Sequence, residues 1–240
     1  MMPPGAIGPT GASPLWTPMD AIGFGWKVVT KRFSTVAIPL AVGFLVYAVL
    51  ANGMSFAGGL VVGFATERGL LDATFAPIAS MSVSGVSAIV SFLVGSFMFG
   101  GLTSTALKAA RGQPTAVGDV FSGGRYMVPY LVALIVYTIA VSIGTLLCLV
   151  PGAILVVGLS FHGCLIVDQG LGGVDALKKS WEMTKGHRLN IFLFNILGFF
   201  VVVAGGLACG LGALLISIPL LFVAIAWIYL RVKGEAVPEP

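Results

Sequence analysis

Four long stretches without a charged side chain constrain this sequence more than any other feature. Asp, Glu, Lys and Arg are absent from residues 33–66, 73–107, 126–167 and 189–230. A helix needs about 20 apolar residues to cross the hydrocarbon core of a bilayer. The first two stretches are long enough for one crossing each, and the last two are long enough for two crossings each.

Each of the two longer stretches contains a helix-breaking segment near its middle. Pro151–Gly152 divides the third stretch, and a glycine-rich segment at 204–212 divides the fourth. No sustained alternation of apolar and polar residues favours a membrane barrel. We therefore predict an all-α polytopic bundle whose six transmembrane helices cover about 34–55, 79–106, 127–148, 152–167, 190–208 and 212–231.

The overall composition supports this class of protein and excludes others. Charged residues make up 9% of the chain and hydrophobic residues 58%, whereas a soluble domain has roughly 25% charged residues. So few charges cannot cover the surface of a soluble globule. The composition excludes a secreted enzyme, a nucleic-acid-binding domain and a disordered linker protein.

The basic residues predict the orientation of the chain. Six crossings place 12 of the 13 Lys and Arg residues on one side, and only Arg68 lies on the other. Positively charged loops stay in the cytoplasm, so we expect both termini to be cytoplasmic in an inner membrane. Residues 1–18 contain five prolines and no basic residue, which indicates a flexible cytoplasmic tail rather than a signal peptide. Residues 19–233 form the membrane domain and 234–240 a short cytoplasmic tail.

Two amphipathic segments precede predicted helices one and five. The first begins at a capping box, Thr17–Asp20, and places Met19, Ile22, Trp26, Val29 and Phe33 on one helical face. The second covers 174–185. Both patterns are typical of helices that lie in the membrane interface. The predicted contacts with anionic lipid or with a protein partner are Trp26, Lys27, Lys31, Arg32, Lys178, Lys179, Trp181, Lys185 and Arg188.

The two segments align with an offset of 155 residues. Ala21 then falls on Ala176, Trp26 on Trp181, Gly43 on Gly198 and Phe44 on Phe199. A duplication explains these matches, and so does a shared physical requirement where a helix enters the membrane.

A series of short motifs between residues 100 and 200 resembles a known family. The motifs are Ala106-Leu107-Lys108, Arg111-Gly112, Asp119-Val120-Phe121, Leu149-Val150-Pro151-Gly152, Val167-Asp168, 176–181 and 184–186. Their order resembles poorly characterised bacterial inner-membrane proteins related to the membrane domain of glycerophosphoryl diester phosphodiesterase. The resemblance implies a multi-span helical domain. It carries no phosphodiesterase activity, because the catalytic domain of that enzyme has no counterpart in this sequence.

Few residues within the predicted spans could take part in chemistry. The spans contain no Asp, Glu or Lys, so we expect neither an enzyme nor a bound cofactor or metal. His162 and Asn195 are the candidate polar groups inside the membrane. Each has a structural interpretation, a hydrogen bond to a neighbouring helix, and a functional one, contact with a ligand. A polar cavity that holds both His162 and Asp168 would favour an enzyme.

Small residues and cysteines suggest how the helices pack. Helix two carries a series of small residues that includes Ser84, Ala88 and Gly95, and the end of helix five carries Gly206 and Gly210. Small side chains let helices approach closely in lipid, so helix two is predicted at the bundle centre or at a contact with another subunit. Cys148 and Cys209 fall near the same membrane surface, where they either pair or pack as small apolar residues. Pro39 and Pro219 predict helix kinks.

Two functions remain open from the sequence. The first is a non-catalytic protein that binds membrane lipids, a protein partner or a second copy of itself through its basic interfacial helices. The alternative is a transporter or permease for a neutral or lipidic substrate, which could act as a dimer. The net charge of +4 is explained by loops that face anionic headgroups and does not indicate nucleic acid.

Overall fold

The computed structural model describes residues 16–72, 74–207 and 212–239. All regular elements in this part of the chain are helical, and six of the helices are long and apolar enough to cross a membrane. These helices cover Phe33–Glu67, Ala76–Ala110, Val117–Leu147, Leu149–Gln169, Arg188–Leu207 and Ala213–Lys233. The prediction of an all-α bundle with six membrane helices is confirmed.

The helices begin and end near the predicted residues, except that the first membrane helix continues past residue 55 to Glu67. In chain order they are α1 (Pro18–Lys31), α2 (Ile38–Glu67), α3 (Ala76–Ala110), α4 (Val117–Val120), α5 (Met127–Leu147), α6 (Leu149–Gly158), α7 (His162–Gln169), α8 (Gly173–Met183), α9 (Arg188–Leu207) and α10 (Ile218–Lys233). A 3₁₀ helix, Phe121–Tyr126, joins α4 to α5. The first and second spans are each 35 residues long, which is about 52 Å of helix and exceeds the hydrocarbon core of about 30 Å.

The extra length of the first span has a local cause. The predicted end near residue 55 assumed that a loop fills the rest of the charge-free stretch. No proline interrupts the helix between residue 55 and Gly69, whose φ of +67° ends the helix in a conformation that glycine adopts at little cost. The helix therefore continues to Glu67.

The second half of α3 forms the centre of the bundle. Nearly all residues from Gly95 to Ala110 are buried, and α3 contacts α2, α5, α7 and α10. The chain at Val120 crosses α3 directly over Gly101, where a Cβ would overlap the backbone oxygen of Val120. The small residues predict that helix two, which is α3, lies at the bundle centre. The second half of α3 has this central position.

The contact between α2 and α3 includes only part of the predicted series of small residues. Ser87 and Ser91 lie against α2, where the Ser87 hydroxyl hydrogen-bonds to Ser55 and the Ser91 hydroxyl donates to the backbone oxygen of Ala51. Gly95 is buried in the same contact. Ser84 and Ala88 are exposed, so they do not pack within this chain, and their contact with another subunit stays a prediction. Along α3 the residues that contact α2 recur every four positions, at Ser87, Ser91 and Gly95.

The glycines near the end of helix five also differ from the prediction. Gly206 is exposed, and a Cβ there would meet no other atom within 4 Å. Gly205 makes the close contact instead, because a Cβ there would overlap the Ser217 hydroxyl. Gly210 and Cys209 lie outside the described residues, and Cys148 is exposed. Gly206 therefore makes no close contact with the described residues. The packing role of Gly206 with Gly210 and the pairing of the two cysteines stay predictions.

Each predicted kink coincides with a π-helical turn. Phe33–Ala37 and Ala213–Ser217 are π-helical, and Pro39 and Pro219 follow each of them by two residues. A proline cannot donate to the helix and its ring displaces the preceding turn, so the backbone shifts to the wider π pattern. Ala37 and Leu220 pack together in a small buried cluster, which places the two kinks side by side.

The short helix α1 packs on α10 and α9. Its Thr17–Asp20 capping box is present as predicted, with the Thr17 backbone N–H donating to the Asp20 carboxylate over 2.8 Å. The face turned to the protein contains Ala21, Phe24 and Val28. Met19 and Trp26 of the predicted apolar stripe are exposed, whereas Val29 is fully buried. Only part of that stripe is therefore free to face lipid.

Candidate functional site

A group of charged side chains joins three membrane helices at one end of the bundle. We call it the Asp168 cluster; its members are Arg111, Asp168, Tyr229, Lys233 and Glu235. The Asp168 carboxylate accepts hydrogen bonds from Arg111 Nη2 (2.6 Å), Lys233 Nζ (2.7 Å) and the Tyr229 hydroxyl (2.8 Å). The cluster therefore fastens the ends of α3, α7 and α10 to one another.

Glu235 completes the cluster from beyond the end of α10. Its carboxylate accepts from Arg111 Nε over 2.6 Å and from Lys233 Nζ over 3.2 Å. The Arg111 guanidinium, together with the Lys233 ammonium, holds the pKa of Glu235 below its ordinary value. The hydrogen bond from Arg111 to Glu235 in turn raises the pKa of Arg111. Both groups therefore stay charged at neutral pH.

Contacts around this cluster bring the four predicted basic segments to one side of the bundle. Arg32, from the first segment, lines a small cavity with Arg111, from the second. Lys179, from the third, donates to Gln169, which donates to Tyr229 of the fourth. We call this the basic side. Arg68 caps α2, after the first crossing.

A pocket of about 680 Å³ lies on the basic side between α1 and α10. We call it the basic pocket. Its lining is rich in cationic and aromatic side chains and includes Trp16, Asp20, Lys27, Lys31, Trp227, Arg231 and Glu239. Arg231 Nε and Trp16 Nε1 are buried and have no hydrogen-bond partner among the described residues. The Arg231 guanidinium lies 5.1 Å from the centre of the Trp227 ring. Both side chains line the basic pocket.

An apolar groove of about 530 Å³ adjoins the basic pocket. It runs between the exposed face of α1 and the facing parts of α9 and α10. Met19 and Gly23 line both the pocket and the groove, and Trp26 lines the groove alone. We call it the α1 groove. Gly23 leaves open space between the two, because a Cβ there would meet nothing within 4 Å.

The second predicted interfacial segment, α8, packs against protein. Trp181 covers Gly158, where a Cβ would overlap its ring, and Thr184 is fully buried. The Arg188 guanidinium stacks 3.8 Å above the Trp181 ring. The face that the sequence predicted for the membrane interface therefore contacts α6 of the same chain. Lys178, Lys179 and Lys185 are exposed on the other side of α8.

The structure brings the two predicted intramembrane polar residues to one place. His162 and Asn195 both line a groove of about 480 Å³ between α5, α6, α9 and α10, which we call the His162 groove. A smaller cavity of about 140 Å³ lies behind His162 and reaches Thr103 and Tyr130. Asp168 lines neither space. Neither of these two spaces therefore contains both His162 and Asp168, which is the arrangement that would have favoured an enzyme.

Sequence reasoning did not identify several of these residues as site residues. Asp168 and Tyr229 are 61 positions apart, and nothing in the local sequence indicates that they meet. Trp16 fell in a segment that was predicted to be flexible. Trp227 and Arg231 carried a usable signal, because residues four apart share a helix face and an aromatic ring can hold a guanidinium.

Comparisons with known proteins identify relatives without a described activity. Residues 127–239 match the family model described as Domain of unknown function (DUF7847). The chain is similar to Uncharacterized protein Rv2560 of Mycobacterium tuberculosis and to Uncharacterized protein Mb2590 of Mycobacterium bovis. Each is 27% identical over 235 residues, which cover 92% of this chain and 70% of the relative.

No solved structure matches the chain. The family model and the relatives provide no link to glycerophosphoryl diester phosphodiesterase, so that resemblance stays a prediction. The fold and the comparisons together describe a multi-pass, membrane-type helical bundle that is similar to uncharacterised mycobacterial proteins and carries the DUF7847 match in its second half.

Proposed function

We propose that this chain is a non-catalytic protein of a bacterial inner membrane, which binds an anionic phospholipid between α1 and α10. The single observation that carries the proposal is that the basic pocket and the α1 groove lie next to each other, with Met19 and Gly23 lining both. A phospholipid has the same organisation, with an anionic headgroup attached directly to apolar chains.

The donors in the basic pocket suit a phosphate group. Arg231 offers a buried Nε that has no partner in the described part of the chain, and a guanidinium recognises phosphate through well-aligned hydrogen bonds. Trp16 Nε1 adds a second buried donor, and Lys27 adds positive charge. Leaving such donors buried and unsatisfied costs free energy, which a bound phosphate would recover.

The orientation of the chain supports the same ligand. If the basic side faces the cytoplasm, the pocket lies at the leaflet whose anionic lipids attract juxtamembrane Lys and Arg by about 1 kcal/mol each. The exposed lysines of α8 would add a diffuse attraction to the same surface. They form no pocket, so we expect them to concentrate anionic lipid near the protein without selecting one molecule.

A lipid titration of the purified full chain in neutral detergent micelles tests the proposal. The probes are brominated phosphatidylglycerol and brominated phosphatidylcholine, whose acyl bromines quench nearby tryptophans. Trp16 and Trp227 line the pocket and Trp26 lines the groove. We expect saturable quenching that favours phosphatidylglycerol. The double variant Lys27→Gln/Arg231→Gln should weaken that binding about tenfold, which corresponds to one lost charged hydrogen bond.

The matched control removes the same charge elsewhere. Lys178→Gln/Lys185→Gln neutralises two of the three exposed lysines in and just after α8, and the preference for phosphatidylglycerol should stay. Equal quenching by the two lipids, or equal affinity of the pocket variant and the wild-type protein, would contradict the proposal. A protein partner that co-purifies in stoichiometric amount and is lost in the pocket variant would instead assign the site to that partner.

A transporter for a lipidic substrate is the second candidate, and one observation favours it. The two π-helical turns and their prolines pack side by side through Ala37 and Leu220, and π-helical turns are frequent at functional positions of membrane helices. Paired kinks of this kind could shift together during transport. Vesicles that contain the protein and move no labelled phospholipid between leaflets would exclude this function for that lipid.

A further inference from the structure

We propose a second lipid site, the His162 groove, which binds a neutral lipid through its hydroxyl group. The site is separate from the basic pocket and does not depend on the proposed function. Its lining comes from α5, α6, α9 and α10, together with the turn between α6 and α7. No Asp, Glu, Lys or Arg lines it, so the groove offers nothing to neutralise a charged ligand at membrane depth.

The hydrogen-bonding state of His162 follows from its contacts. Its Nδ1 lies 2.6 Å from the backbone oxygen of Leu159, which can only accept, so Nδ1 carries the proton. In a neutral imidazole the other nitrogen, Nε2, is then an acceptor. The Tyr137 ring stacks on the imidazole at 5.3 Å and fixes its plane. No hydrogen bond joins Nε2 to another described residue. The His162 side chain lines the groove, and the proposed ligand hydroxyl approaches Nε2 from there.

Two further polar groups stand beside His162. The Ser160 hydroxyl donates to the backbone oxygen of Val156 over 2.8 Å and keeps its acceptor lone pairs. The Asn195 side chain is exposed on α9 and makes no hydrogen bond to the described residues. Asparagine is rare on a surface that meets only lipid chains. The three groups therefore present two acceptors and one amide to a ligand that carries a hydroxyl.

The apolar part of the groove accounts for the rest of the ligand. Phe199 and Val202 continue along α9 from Asn195, and Leu221 and Phe222 face them from α10. From Asn195 to Val202 the helix rises about 10 Å, which matches several methylene groups of an acyl chain. Because the groove lies among predicted membrane helices, a molecule dissolved in the bilayer can reach it from the side. A diacylglycerol or another neutral lipid alcohol has this chemistry.

Photolabelling with a diazirine-bearing diacylglycerol tests the proposal on the full chain in neutral nanodiscs. We expect peptides of α9 that contain residues 195–202 to be labelled. Unlabelled dioleoylglycerol should compete, whereas its 3-O-methyl ether, which has the same chains but no hydroxyl donor, should compete about tenfold less well. Equal competition by the two compounds would show that only the chains bind and would overturn the proposal.

Two variants separate the site from general stability. His162→Phe keeps an aromatic ring against Tyr137 but removes Nε2, and should lower labelling about tenfold. Asn195→Leu changes an exposed residue, so it leaves the core intact and should lower labelling as well. Asn52→Leu is the matched control, because Asn52 is an exposed asparagine of α2 outside the groove. Full labelling of Asn195→Leu, or equal loss in Asn52→Leu, would overturn the assignment.

Discussion

The buried carboxylate of Asp168 is the residue on which the basic side of the bundle depends. Its side chain is 7% exposed, yet it accepts from two cations and one hydroxyl. A buried charge is tolerated when hydrogen bonds replace the lost water. Through these hydrogen bonds Asp168 links the ends of α3, α7 and α10.

Removing this charge should destabilise the bundle. Asp168→Asn keeps the shape of the side chain but weakens its bonds to Arg111 and Lys233, and we expect the free energy of unfolding to fall by about 2–3 kcal/mol. Thermal unfolding in mild detergent measures the change. Asp72→Asn is the control, since Asp72 is exposed and its carboxylate bonds to the nearby Thr74 alone among the described residues. Similar melting temperatures for the two variants would contradict the role of Asp168.

At the residue scale, the sequence identified which side chains are chemically unusual more successfully than it identified which residues they contact. His162 and Asn195 were recognised as unusual because polar groups are scarce inside the spans. Their convergence on one groove depends on how α7 and α9 pack, which local sequence does not encode. The Asp168 cluster was missed for the same reason, because its members come from three distant segments.

At the scale of single elements, close approach of backbones determines where helices cross. The chain at Val120 passes over Gly101 with no room for a side chain. The charge-free stretches predicted that α3 exists, but its contact face depends on the partner helix. Ser84 and Ala88 have the same small side chains as Ser87 and Ser91, so composition alone could not select the correct register.

A methyl group at the crossing point should test this packing directly. Gly101→Ala places a Cβ against the Val120 backbone and should lower the free energy of unfolding by about 1–3 kcal/mol. Gly53→Ala is the matched control, because Gly53 lies in α2 and a Cβ there would meet nothing within 4 Å. Alanine favours a helix over glycine, so the control should be neutral or slightly stabilising. A neutral Gly101→Ala variant would exclude the crossing as described.

The two amphipathic segments show where pattern and packing diverge. Met19 and Trp26 of the apolar stripe of α1 stay exposed beside a groove, whereas the corresponding face of α8 contacts α6. Ala21 and Ala176, matched in the proposed duplication, are both fully buried. Trp26 is exposed and Trp181 stacks under Arg188. The same helical periodicity of apolar residues thus occurs in one helix beside an open groove and in another that packs against protein. The duplication stays a hypothesis.

For the molecule as a whole, the positions of the charges predicted more than their number. The gaps between charges gave six membrane helices, which the structure confirms. The contacts of the Asp168 cluster bring all four basic segments to one side, as an even number of crossings requires. Which membrane surface that side faces follows from the positive-inside rule and stays a prediction, and the anionic lipid proposal depends on it.

Cysteine labelling of membrane vesicles tests this arrangement most directly. Leu70→Cys, Lys178→Cys and Ala236→Cys change exposed residues and would be made in a chain whose three natural cysteines are replaced by serine. With a membrane-impermeant maleimide, we predict that the variants at 178 and 236 react only in inside-out vesicles. The variant at 70 should react only in right-side-out vesicles. The reverse pattern would contradict the orientation, and labelling of all three variants in the same vesicles would contradict the arrangement of the crossings.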